Sequence, residues 1–162
     1  MADLLVHYAV NRAASLGARG TVAAECLLLG AVLPDVLAKP LHIVFRLGWA
    51  TTATHAPLTW LALAYVTAHL FRAPHRPAAF LGILLGGWLH IGVDLLRETM
   101  GLGAIALLYP FSVETFQLGG WYFSEDSLRL APWALGTVAL AEGWTARRRR
   151  RTAGSTSAPP AG

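Results

Sequence analysis

A chain of 162 residues is the length of a single domain, and 55% apolar content with only 14% charge rules out an ordinary soluble surface, where about a quarter of residues are charged. The net charge of +4 does not mark a nucleic-acid binder, because five of the thirteen basic residues form one run, Arg147 to Arg151, directly behind an apolar segment. Cys26 is the only cysteine, which excludes an intrachain disulfide and any cysteine-based zinc site.

Residues 2–16 predict a short amphipathic helix, with Asp3, His7, Asn11 and Ser15 at four-residue spacing. Its polar stripe fits a helix lying on a membrane surface at least as well as a ligand role for His7. The start of the chain lacks the pattern of a signal peptide: Asp3 comes early, no basic residues precede the apolar ones, and His7 interrupts them. The first apolar run, Val22 to Leu37, carries Glu25 and closes on Pro34-Asp35. A more polar connection, 38–55, holds Lys39, His42, Arg46 and the segment Thr51 to His55. The second run, Ala56 to Phe71, has Pro57 where a first helical turn accepts proline. A basic turn, 72–77, leads into the third run, Ala78 to Leu96. There His90, Asp94 and Glu98 recur every four residues, so a helix puts them on one face. Residues 97–127 are rich in glycine and aromatics and read as an interfacial or re-entrant element. The last run is Leu128 to Trp144, followed by the arginine run and a polar tail predicted to be disordered.

The expectation is an all-α integral membrane helical bundle of about four transmembrane helices plus the short N-terminal helix. The membrane domain would be 1–146, and 147–162 a basic anchor and tail. Mean hydropathy of +0.49 agrees. With both termini in the cytoplasm, nine basic residues (Arg12, Arg19, Arg72, Arg76, Arg147 to Arg151) fall inside and four (Lys39, Arg46, Arg97, Arg129) outside, the bias that insertion favours. This topology puts Asp35, His55, His90 and Asp94 at one outer level. Ionisable residues at membrane depth are costly and serve function or pair with one another. Each also has a plainer role: Asp35 as a turn residue, His55 as a cap facing water, His90 and Asp94 as a hydrogen-bonded pair. His69 and His75 are read as surface residues and His42 as a reserve ligand. The same topology leaves His7 on the inner side, away from the others.

Leu33-Pro34-Asp35, Thr54-His55, Leu89-His90 through Asp94, then Gly101 and Leu108-Tyr109-Pro110-Phe111-Ser112, with His7 near the N-terminus, resemble the membrane-bound metal-dependent hydrolase family often called YdjM-like. The resemblance covers roughly residues 1–145. It implies metal-dependent hydrolysis, and a more distant similarity to zinc-dependent phospholipase C rests on the order His7, Asp35, His55, His90, Asp94. On that resemblance His55, His90 and Asp94 hold a divalent metal, most simply zinc, and Asp35 orients or deprotonates the attacking water. His7 with a shared Asp94 would hold a second ion. The partners implied are membrane lipids and a lipid-like ester or phosphoester. The family pattern has a second aspartate two residues after the first, where Leu37 stands here. Ala56 replaces the usual serine after Thr-His, and Thr99-Met100-Gly101 the usual serine-glycine turn. The alternative is a non-catalytic multi-pass membrane protein whose His/Asp cluster is structural or only binds metal. A transporter has less support, since no internal repeat is visible.

Overall fold

Two prolines decide where the helices break, and they act in opposite ways. The computed structural model describes residues 2–18, 20–98, 105–119, 122–123 and 127–155. Its helices are α1 (Ala2–Ser15), α2 (Thr21–Ile43), α3 (Trp49–His55), α4 (Pro57–Ala68), α5 (Arg76–Leu96) and α6 (Ser127–Ser155), with a 3-10 turn at Ala73–His75. Among the described residues the fold is helical apart from a parallel pairing of Arg97–Glu98 with Tyr122–Phe123 and the irregular segment 105–119, which is pinned by an antiparallel bridge between Ile105 and Phe116. Met1, Arg19, residues 99–104, 120–121 and 124–126 and the tail after Ser155 lie outside the described residues.

Pro34 does not end the first run. The helix passes through Pro34 and Pro40 to Ile43, leaving Gly30 and Val36 without their usual N–H partners. A packed membrane helix tolerates such gaps. At Pro57 the helix does break. The residue before a proline avoids helical backbone, and Ala56 is extended at φ −87°, ψ 131°. Pro57 offers no N–H to the Ala53 carbonyl, and the Thr59 hydroxyl lies against that oxygen instead.

Among the described residues two helices, Thr21–Ile43 and Ala73–Leu96, are long and apolar enough to cross a membrane, against an expectation of four. The second expected span, Ala56 to Phe71, is only the twelve-residue α4, and the expected polar connection before it contains α3. The fourth, α6, is diluted by Arg129, Glu142 and the arginine run, which continues the helix instead of following it.

The two long helices run parallel. Gly82 lies on Ala23, Gly86 on Leu27, and His90 on Ala31, a constant offset of 59 residues. A methyl group on Gly86 would strike the Leu27 carbonyl oxygen, so only glycine allows this backbone approach. Gly87 makes the same room for the buried indole of Trp60, whose Nε1–H lies 3.2 Å from the Ile83 carbonyl and 3.3 Å from that of Leu84. That contact ties α4 across α5.

The polar stripe of α1 faces inward. His7, Asn11 and Ser15 are 1%, 0% and 4% exposed, while Val10 on the opposite side is 37% exposed. Small residues such as Ala31, Ala64, Ala68 and Ala79 fill the interior, and Leu61, Val66, Leu81, Leu85, Leu135 and Leu140 point outward. In water this distribution would be costly. In lipid, which solvates leucine and drives helices together by close packing, it is the expected one. The surface-lying helix is thus replaced by a helix packed into the bundle.

Candidate metal centre

The cluster forms where α1, α2, α3 and α5 meet. Asp35 and Asp94 keep the same 59-residue offset and come to one level on α2 and α5. The break at Ala56-Pro57 places His55 on the last turn of α3, beside them. α1 runs back along α2, with Arg12 and Ser15 near the start of α2 and His7 at the level of Asp94. Its start and the end of α6 therefore lie at opposite ends of the bundle, not at one end as expected. His7, placed apart from the other ligands by the four-span reading, belongs with them.

His7 Nε2 is 3.3 Å from Asp94 Oδ1, and its ring stacks on that of His90 at 3.9 Å. His90 Nε2 is 3.3 Å from Asp94 Oδ2, and His55 Nε2 is 3.6 Å from the same oxygen. His55 Nε2 is also 3.7 Å from Asp35 Oδ1. The other Asp35 oxygen pairs with Lys39, and Arg97 lies 3.7 Å from Asp94 Oδ1. His7, His90 and Asp94 are buried, whereas Asp35 and His55 are only partly so, which gives the cluster an enclosed half and an accessible half.

Backbone carbonyls fix the histidine tautomers. His90 Nδ1 lies 2.7 Å from the Ala31 carbonyl, and His55 Nδ1 lies 2.9 Å from that of Thr51. A carbonyl only accepts, so His90 Nδ1 is the donor; His55 Nδ1 also has the Thr54 hydroxyl at 2.9 Å, and with its proton directed to the Thr51 carbonyl each neutral ring carries its lone pair on Nε2. Those two Nε2 atoms face each other at 3.3 Å. Two lone pairs at that distance repel unless a cation or a shared proton lies between them. Asp94 beside both supplies the negative charge that either would require. A carbonyl holding the outer nitrogen and an aligned inner nitrogen is also the usual support of a metal-ligating histidine. Two overlapping groups of donors, His7/His90/Asp94 and Asp35/His55/His90, lie close enough to share an ion.

All five residues singled out in the sequence therefore meet. His42, His69 and His75 are exposed and outside the cluster, and the Glu98 side chain lies outside the described residues. Lys39 and Arg97 were visible in the sequence only as charges to be counted. Lys39 follows Asp35 by four residues, a signal hidden by the assumption that Pro34 ends the helix. Away from this centre, buried Arg12 donates to Glu142 at 2.7 Å and to Thr145 at 3.0 Å, joining α1 to α6. Glu25 lines the adjoining cavity of about 540 Å³.

No curated protein and no solved structure matches this chain. One protein family does, over residues 4–158. With small residues inside, leucines outside and buried histidines set against carboxylates, the chain belongs to the YdjM inner membrane protein family.

Proposed function

We propose that this protein is a membrane-bound metal-dependent hydrolase acting on an ester or phosphoester of a lipid-like substrate. The observation that carries this reading is the pair of carbonyl-fixed histidines whose Nε2 atoms converge at 3.3 Å beside Asp94. His55, His90 and Asp94 are the ligands of a divalent metal, and neutral imidazoles with a carboxylate suit zinc. Bound there, such an ion lowers the pKa of water to about 7 and stabilises negative charge developing on oxygen. Asp35, on the accessible side, directs Oδ1 toward the same space and serves to orient the water or take its proton. His7 holds Asp94 from the enclosed side and, with it, offers a second ion position. The motif order His7, Asp35, His55, His90, Asp94, which resembles that of zinc-dependent phospholipase C, is the ground for including a phosphoester. The arginine bias puts the metal centre at the end away from the cytoplasm.

A second reading, a metal-binding or structural cluster without turnover, is favoured by two features. Leu37 stands where the family has a second aspartate, and Lys39 already pairs with Asp35, the one candidate base. Metal analysis of the purified wild type beside His90→Ala and Asp94→Ala is the first test. The hydrolase reading requires stoichiometric metal in the wild type and loss of it in both variants; metal-free wild type, or full retention in the variants, rejects the centre. Turnover of phospholipid and of a generic phosphoester with added divalent metal then separates the two readings, since bound metal without turnover leaves the second.

A further inference from the structure

Lys39 and Arg97 are not part of the ligand set, yet both touch its carboxylates. Lys39 pairs with Asp35 one turn on along α2, and Arg97 reaches Asp94 at 3.7 Å from the end of α5. Because α2 and α5 run parallel with an offset of 59 residues, Asp35 and Asp94 share one level; Lys39 follows Asp35 by one helical turn, and Arg97 stands just past the end of α5, three residues after Asp94. The Lys39 side chain is 57% exposed and that of Arg97 18%, against 15% for Asp35 and 7% for Asp94. Lys39 therefore stands between solvent and Asp35, and Arg97 flanks Asp94 where the helix ends. From this placement, and resting on the metal-centre reading above, we infer that Lys39 and Arg97 are specificity-determining residues that bind a phosphoryl anion over the metal.

Charge balance points the same way. Among the described residues at the centre, two carboxylates oppose two cations, and imidazoles acting as ligands are neutral. These described charges cancel, so a divalent ion adds two positive charges to them at the edge of a low-dielectric region, where uncompensated charge is costly. A phosphoryl dianion balances them, and a singly charged phosphodiester balances half. A neutral carboxylic ester balances none and has no use for either cation. The residue types fit as well: an arginine presents paired N–H donors to phosphate oxygens, and a lysine on a flexible stem leaves its carboxylate for a stronger anion at little cost. A free phosphate group and a lipid headgroup share this chemistry.

The test uses the full chain in detergent, loaded with zinc and analysed for metal before each measurement. Binding of inorganic phosphate and of soluble dihexanoyl phosphatidate is measured by calorimetry for the wild type, Lys39→Gln, Arg97→Gln and the charge-conserving Lys39→Arg. At least one probe is expected to bind the wild type, with affinity falling about tenfold or more in each glutamine variant at unchanged metal content. Lys39→Arg is expected to restore most of it. Phosphate binding alone is enough to establish recognition of the anion, and binding of phosphatidate only would assign the site to a lipid headgroup. Metal-loaded wild type that binds neither probe, or glutamine variants that bind as the wild type does, overturns the inference while leaving the metal centre intact. Loss of metal in the glutamine variants also overturns it, because the cations would then be holding carboxylates and not substrate. A wild type without metal fails earlier and rejects the metal-centre reading itself.

Discussion

His90 is the side chain on which the centre depends most. It is fully buried, its Nδ1 is committed to Ala31, and its Nε2 faces both His55 and Asp94. Loss of an outer-shell partner costs a metal site about 10- to 100-fold in affinity. His90→Ala, which removes a donor itself, should exceed that range in a zinc competition titration. Asp94→Asn keeps the shape and removes the charge that faces His7, His55 and His90. It should lose metal without losing the fold, as judged by retained helical circular dichroism and a melting point that matches that of the metal-stripped wild type. Asp35→Asn makes a different demand. If Asp35 acts on water, metal content should stay near wild type while turnover falls by about 10² to 10⁴.

Between elements, the α2–α5 contact is the tightest in the bundle. Gly86→Val should destabilise the detergent-solubilised protein by about 1–3 kcal/mol or more, because the added carbons meet the backbone of α2, which cannot yield as a side chain would. Gly136→Ala on α6, where nothing lies within 4 Å of the added carbon, should be neutral or stabilising by up to about 1 kcal/mol. A thermal unfolding series over the two variants checks both signs. How legible the elements were in the sequence follows from the same physics. His90 and Asp94 could be placed because both lie on one uninterrupted helix with a fixed period. Asp35 and His55 needed the charge bias to bring them to that level. The true end of α2 was not legible, because proline in a packed membrane helix loses one hydrogen bond without ending the helix. The facing of α1 was not legible: a polar stripe points to water on a soluble protein, but inward when the surroundings are hydrocarbon. The pairing of Arg12 with Glu142 joins residues 130 apart in the chain, and no local pattern reports such a contact.

For the whole molecule, the arginine-rich end and the metal end are opposite ends of one bundle. Arg72 and Arg76 open α5, and His90 and Asp94 close it. Single cysteines placed at exposed His42 and at exposed His75, with Cys26 replaced, should therefore label from opposite sides of sealed vesicles. Labelling from the same side would reject the transmembrane arrangement. The small-residue interior has a further result for the centre. The spacing of Asp35 from Asp94 is set below them, by the contacts of Gly82 and Gly86 with the opposing backbone. Those contacts act as a caliper whose jaws are Asp94, the proposed ligand, and Asp35, the proposed base. The distance across which a water can be handed from one to the other is then dictated by glycines that touch neither. Widening the caliper one turn or two away should lower turnover while metal content stays near that of the wild type.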